Sequence, residues 1–191
     1  MKVFVFGLGA IGSNLLVQLS KQYPDFEFTG LDYDKVEERN IRTQAYFLEH
    51  VGQPKTAAMR GILARYSRKP NYKPANMKLT MPPMFCSAYK FDWDLAIDCF
   101  DNSESRKYFA QEKNVLHIGF SPHYTAECIW NENYDVPGDV DPAHADICSM
   151  TDAVPFIHYV VNSAALSISD WIQTGKKKDF LVTGKSKLKY L

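Results

Sequence analysis

The sequence predicts a single α/β domain, doubly wound around a mainly parallel sheet, and three observations carry that expectation. Short β-branched and aromatic runs alternate with stretches of helical apolar spacing along most of the chain. A glycine-rich turn joins the first run to the first helical stretch. The length of 191 residues, at roughly 150 residues per domain, accommodates one domain with appendages and not two.

The first strand is read at residues 3–6, where a β-branched and aromatic run stops at Gly7. A helix follows on the spacing Ile11, Leu15, Leu16 and Leu19, and Pro24 with Asp25 breaks it. Residues 26–31 read as a second strand ending in Asp32, so the opening βαβ unit is expected to be parallel and right-handed. Residues 55–66 carry Ala57, Ala58, Ile62 and Leu63 at helical spacing, with Pro54 where a first turn tolerates it. Four prolines from Arg68 to Pro83 leave room only for a short strand near residues 77–80. Residues 95–99 read as a buried strand, 104–113 as a helix, and 115–119 and 124–130 as two more strands. Residues 131–152 are polar and lack an apolar period; loops of that length inside a compact domain are usually functional or disordered. Residues 155–172 are the longest helical stretch, and Ser163, Ala164, Ala165 and Ser167 suit close packing in a core or a dimer interface. A last run at 180–183 suits an edge strand, within a basic C-terminal segment at 176–191.

With 46% hydrophobic and 23% charged residues, the composition is that of a folded globular chain. It excludes a disordered tail, a collagen-like chain and a disulfide-dense scaffold. Lys+Arg and Asp+Glu are 22 each, so the net charge is zero, which argues against nucleic-acid and membrane-surface partners. The exception is Lys176, Lys177, Lys178, Lys185, Lys187 and Lys189, a solvated tail or a surface for an acidic protein. No apolar run approaches the ~18 residues that span a bilayer. The chain opens on a strand with no secretory or transit segment before it, and its four cysteines form no Cys-x-x-Cys pair, so a reducing cytoplasm is expected. Cys86, Cys99 and Cys128 read as core, and His117, between Leu116 and Ile118, as a satisfied buried histidine.

Gly7-Leu8-Gly9-Ala10-Ile11-Gly12 is a G-x-G-x-x-G placed directly after a strand and opening a helix, the context of a Rossmann-like nucleotide site. Gly7 permits the turn, Gly9 lets backbone amides reach an anionic phosphate, and Gly12 allows close helix–sheet packing. Ala10 and Ile11 bring first-turn N–H groups and the positive helix end to the same place. Asp32, about twenty residues on, can accept hydrogen bonds from a ribose. Asp34, Asn40, Arg42, Gln44 and Lys55 then gather polar and cationic groups just past Asp32, where phosphates rather than a nicotinamide need company.

These residues, with Asp98-Cys99-Phe100-Asp101-Asn102 and Arg106, stand in the order of the ubiquitin-activating-enzyme superfamily. The chain resembles its ThiF/MoeB-type adenylyltransferases over roughly residues 1–175. The resemblance implies that Asp32 binds ribose, that Asn40 and Lys55 contact phosphates, and that Asp101 holds Mg2+ near the α-phosphate, with Asn102 beside it. It implies ATP- and magnesium-dependent adenylylation of the C-terminal carboxylate of a ubiquitin-like or sulfur-carrier protein with a Gly-Gly end, releasing pyrophosphate. It also implies a homodimer or heterodimer, and a cysteine, here Cys148, that takes over the activated acyl group. The zinc-binding Cys-x-x-Cys pairs frequent in the family are missing, so no zinc is expected.

Two departures stand out. The family usually reads N-x-x-R-Q, whereas here Asn40-Ile41-Arg42-Thr43-Gln44 sets the arginine one step early. In a helix that step turns the side chain by about 100°, so either a loop adjustment brings Arg42 back or Thr43 marks a weakened site. The family's arginine finger comes from a helix upstream of the first strand, and this sequence starts at the strand. Such a finger is worth roughly 10³ to 10⁵ in rate, so an isolated monomer is expected to be slow unless another subunit or Arg39 substitutes; fast pyrophosphate exchange by a proven monomer would contradict this. Two other readings stay open: a non-catalytic partner subunit that shapes another chain's site, and a nicotinamide-dependent oxidoreductase.

Overall fold

The computed structural model describes residues 1–67, 70–79, 91–109, 112–121, 125–136, 138 and 152–183. Its first strand, β1 (Lys2–Phe6), buries both faces, with Val3 and Val5 on one side and Phe4 and Phe6 on the other. Helix α1 (Ala10–Gln22) follows and presses Leu15, Leu16 and Leu19 onto the valine face. Then come β2 (Glu27–Asp32), α2 (Lys55–Leu63), β3 (Tyr72–Asn76), β4 (Leu95–Asp98), the single turn α3 (Ser103–Arg106), β5 (Val115–Ser121), β6 (Thr125–Trp130), α4 (Ala153–Thr174) and β7 (Phe180–Thr183). The sheet order is β3-β2-β1-β4-β5-β6-β7. The first five strands are parallel, and β6 and β7 close the sheet antiparallel.

Two packed layers flank this doubly wound, Rossmann-like sheet. Helices α1, α2 and α4 cover one face, where Ala164, Ala165 and Ile168 of α4 are buried in the same core as Leu15 and Met59. Gln22 and the Tyr23 hydroxyl both donate to the Ser169 hydroxyl oxygen at 2.8 Å, tying the end of α1 to α4. Ala164 and Ala165 therefore serve the core, whereas Ser163 and Ser167 are half-buried. The other face carries an aromatic layer of Phe4, Phe6, Phe91, Trp93, Phe100 and Phe109, with Phe6 and Phe109 rings 4.9 Å apart and near-perpendicular.

Two sequence expectations are corrected. The third strand lies at Tyr72–Asn76 rather than at 77–80. It tolerates Pro74 because, among the described residues, it is an edge strand that pairs with β2 alone and sets Pro74 opposite Gly30. The expected helix at 104–113 stops at Arg106 and tightens into a 3₁₀ turn, Lys107–Phe109, that delivers Phe109 into the aromatic layer. The strand at 180–183 is the sheet edge, as its sequence suggests. Of the basic C-terminal segment, Lys177 pairs with Glu132 and lies over the Trp130 ring, and Lys178 pairs with Asp170. Lys185, Lys187 and Lys189 lie outside the described residues. No described helix is long and apolar enough to cross a membrane.

Candidate functional site

The chain leaves β1 for β2 on one side and returns to β4 on the other, so the carboxyl ends of β1 and β4 border a topological switch point. The glycine turn fills it. Gly7 has φ +84° and donates its N–H to Leu31 O at 2.9 Å. A Cβ on Gly7 would lie 3.0 Å from Cys99 O and 3.3 Å from Phe100 N, so the turn rests directly on the end of β4. A Cβ on Gly12 would stand 1.9 Å from Gly7 O, whereas one on Gly9 would meet nothing within 4 Å. Gly12 thus serves packing, and Gly9 keeps a space open. The first intrahelical bond of α1 is Ser13 N–H to Gly9 O, 3.1 Å. The N–H groups of Ala10, Ile11 and Gly12 precede that ladder and suit an anion.

Asp32 closes β2 with only 6% of its surface exposed. Its Oδ2 accepts from Leu8 N–H at 2.7 Å and its Oδ1 from Asp34 N–H at 2.8 Å. Burial pushes its carboxyl up, against the opposing pull of Lys55 and of those two N–H groups. Lys55 is no solvated first-turn lysine. It is 7% exposed, with Nζ 3.0 Å from Asp34 Oδ2 and 3.9 Å from Asp32 Oδ2. Three backbone bonds put it there: Val36 N–H to Gln53 O, Gly52 N–H to Val36 O, and Lys55 N–H to Asp34 O, at 2.8–2.9 Å. The stretch after β2 and the turn before α2 are thereby laced into one unit.

The segment between them docks on the start of α1. Asn14 donates to Thr43 O, Ala45 N–H to the Ser13 hydroxyl oxygen, and the Tyr46 hydroxyl to Leu8 O at 2.9 Å. Asn40 is buried, its Oδ1 accepting from Glu37 N–H at 2.9 Å. Residues 38–40 form a 3₁₀ turn followed by plain turns, so the displaced arginine is not a matter of helical phase. Arg42 is exposed and Thr43 is buried. Gln44 is half-buried, and among the described residues its Oε1 is buried without a hydrogen-bond partner. An acceptor left so is available to a donor on a ligand.

Across the turn, Asp101 is exposed just past β4, and Asn102 Oδ1 caps α3 by accepting from Ser105 N–H at 2.8 Å. The cap is therefore Asn102, which leaves the Asp101 carboxylate outward. Among the described residues no group of three or more His, Cys, Asp or Glu could hold a metal ion. Cys148 lies outside the described residues, as does Cys86. Cys128 is buried, and burial pushes the thiols of Cys99 and Cys128 far above the range where a thiolate forms near neutral pH.

Sequence reasoning quoted Asp98 in the motif but gave it no role, and it missed Tyr134. Asp98 is fully buried at the end of β4, with Oδ1 accepting from Phe100 N–H at 3.0 Å and Oδ2 2.8 Å from His117 Nδ1. Tyr134 stacks on His117 with ring centroids 3.7 Å apart and accepts from Arg106 Nη1 at 2.6 Å. The visible signal was an acid ending a buried strand, three residues before the acid the motif emphasises.

In fold, the chain is similar to PaaA, solved as selenomethionine protein, at 17% identity and a TM-score of 0.73, covering 97% of this chain and 61% of that one. It is similar to E. coli MccB with MccA-N7isoASN at 16% identity and a TM-score of 0.70, covering 92% and 58%. With E. coli MccB and ATP the values are 17%, 0.69, 92% and 57%. The chain thus spans about six-tenths of the length of these proteins. No curated protein sequence matches it. A family model described as the ThiF family matches residues 1–119, which take in the glycine turn, Asp32, Lys55, Asp101 and His117. With well over half of its length matched, the chain belongs to the ThiF family.

Proposed function

We propose that the protein adenylylates the C-terminal carboxylate of a ubiquitin-like or sulfur-carrier protein, or of a peptide, using ATP. One observation carries this reading: Asp32 and Lys55 meet beside the glycine turn, and the Cys99–Phe100 peptide that leads into Asp101 rests against the same turn. ThiF-family membership supports an adenylyltransferase kind of activity, and MccB has been solved with ATP and with MccA. In the reaction a carboxylate oxygen attacks the α-phosphorus, the bond to pyrophosphate breaks, and an acyl-adenylate remains. Two anions must approach, so positioning and charge neutralisation matter more than a base.

Asp32 would accept the ribose hydroxyls, the N–H groups of Ala10, Ile11 and Gly12 would face phosphate, and Lys55 would exchange Asp34 for the triphosphate, with Asn40, Arg42 and Gln44 along the same wall. Asp101, one outward carboxylate, fits Mg2+, which is commonly held by one or two carboxylates plus substrate phosphates. When bound, the ion would neutralise charge developing on the phosphates. The Asp101→Ala protein is expected to bind ATP equally with and without magnesium in calorimetry; a magnesium-dependent gain that survives overturns that role. ATP–pyrophosphate exchange driven by a carrier with a Gly-Gly end tests the reaction itself, and NADH bound more tightly than ATP would overturn it.

The other reading, a non-catalytic partner subunit, is favoured by the exposure of Arg42 and the Asp34 ion pair that occupies Lys55. A scaffold would show no magnesium-dependent ATP binding.

The raised carboxyl of Asp32 gives the site a pH signature. The ionised form accepts the ribose, so ATP affinity should fall on acidification at a pH above the ~3.9 of an ordinary aspartate. For stability the sign reverses: a raised native pKa means the folded state takes the proton more readily, so this group favours folding as pH drops. ATP affinity that stays flat from pH 7 to about 4 would remove Asp32 from the ribose.

A further inference from the structure

The end of β4 holds a buried polar cluster whose members converge on one residue, Phe100. Asp98 Oδ1 accepts the Phe100 N–H at 3.0 Å. Arg106 donates to the Phe100 carbonyl through Nε at 2.8 Å and Nη2 at 2.5 Å, and through Nη2 to Ile118 O at 3.1 Å. Both peptide planes around Phe100 are therefore pinned, and the next side chain is Asp101. The Cys99–Phe100 peptide also lies against Gly7, and Cys99 N–H donates to Phe6 O at 2.8 Å. The pinned segment thus borders the glycine turn.

His117 completes the clamp. It is fully buried and stands opposite Asp98 in the β4–β5 register. Asn131 donates its Nδ2 to Phe109 O and Glu112 O at 2.9 and 2.7 Å, which leaves Asn131 Oδ1 to accept from His117 Nε2 at 2.8 Å. With Nε2 carrying a hydrogen, the Nδ1–Oδ2 contact of 2.8 Å holds one further proton between the ring and Asp98. Gly119 leaves room for the guanidinium, since a Cβ there would lie 3.2 Å from Arg106 Nη1. Burial works against the charge of Arg106, and the Asp98 carboxylate and the Tyr134 hydroxyl outweigh it.

We propose that Asp98, His117 and Arg106 are positioning residues that pin the peptides on either side of Phe100 and so hold the Asp101 carboxylate at the glycine turn. The proposal rests on the reading of Asp101 as the magnesium carboxylate, and its first readout is independent of any ligand. In the ligand-free full chain, the Phe100 amide should exchange slowly with solvent. His117→Leu strips Asp98 of a charge-assisted partner, so Phe100 exchange should rise about tenfold while the Phe28 amide, in β2, stays unchanged. His117→Asn, which can present an N–H where Nδ1 stood, should restore protection.

Arg106→Lys loses the paired donation to the Phe100 carbonyl. It should cut the magnesium-dependent gain in ATP affinity roughly tenfold while leaving affinity in EDTA unchanged. Uniform loss of protection at Phe100 and Phe28, or equal weakening of ATP with and without magnesium, would reduce the cluster to a fold element and overturn the proposal. If His117→Leu does not fold, Arg106→Lys decides it by the same two measurements. A chain that binds no ATP yet loses Phe100 protection selectively would refute the nucleotide reading and leave the clamp standing.

Discussion

Alanine at Gly12 is expected to cost about 3 kcal/mol of folding stability or more, whereas alanine at Gly9 should leave stability within about 0.5 kcal/mol and weaken ATP binding at least tenfold. The two positions are three residues apart and differ in what surrounds them. The methyl group that Gly12→Ala adds would stand 1.9 Å from Gly7 O and 3.3 Å from Val5 Cγ1. Gly7 cannot withdraw, because its N–H is bonded to Leu31 O and its far side rests on the Cys99–Phe100 peptide. Relief would require lifting α1 from the sheet and unpacking Leu15, Leu16 and Leu19, which are at most 1% exposed. With domains stable by only about 5–15 kcal/mol, that loss is read directly in a urea midpoint. Gly9 has φ −76° and ψ −151°, which alanine adopts, and open space beside it. Its methyl would occupy the place that the proposed ATP site gives to a phosphate. Gly12→Ala with an unshifted midpoint would deny the close packing of α1, and Gly9→Ala with native ATP affinity would put the phosphates elsewhere.

The glycine turn was legible because its requirements are local: a strand, a positive φ at Gly7, and a helix that needs no side-chain cap. The alternation of β1 was legible for the same reason, although both its faces are buried and only the change from valine to phenylalanine tells them apart. Residues 72–76 were not, because a proline in a strand reads as a break until the strand is known to be an edge. The 104–113 stretch has a helical pattern that tertiary packing overrides, since Phe109 is drawn into the aromatic layer.

Within the site, Asp32 and Lys55 could be named but not their relation. The ion pairs of Lys55 depend on backbone bonds between residues 36 and 53 that no short-range rule contains. The placement of Arg42 and Thr43 likewise depends on a turn: Thr43, where the resemblance would set an arginine, is buried with its carbonyl held by Asn14 of α1, and Arg42 is exposed. Asp98 and His117 meet only through the register of β4 against β5, so a histidine rightly read as buried and satisfied gave no hint of its partner.

Lys55→Ala is expected to lower ATP–pyrophosphate exchange by roughly 10² to 10³, the scale of losing one preorganised group that meets developing charge. The lysine lies between Asp34 and Asp32 with 7% of its surface exposed, so its ammonium is partly desolvated and its pull on an anion little screened. Removal has a second consequence. Asp32 would lose the cation that opposes its burial, its carboxyl would move further up, and ATP affinity would decline from a higher pH than in the wild type. Lys55→Arg should not rescue exchange, because a planar fork cannot replace a compact ammonium in so closed a place. Asp34→Asn should keep exchange, since it frees Lys55 from the 3.0 Å pair it must leave to meet a triphosphate. Exchange within threefold of wild type for Lys55→Ala, accompanied only by a lower urea midpoint, would make Lys55 a structural partner of the two aspartates and take the triphosphate away from it.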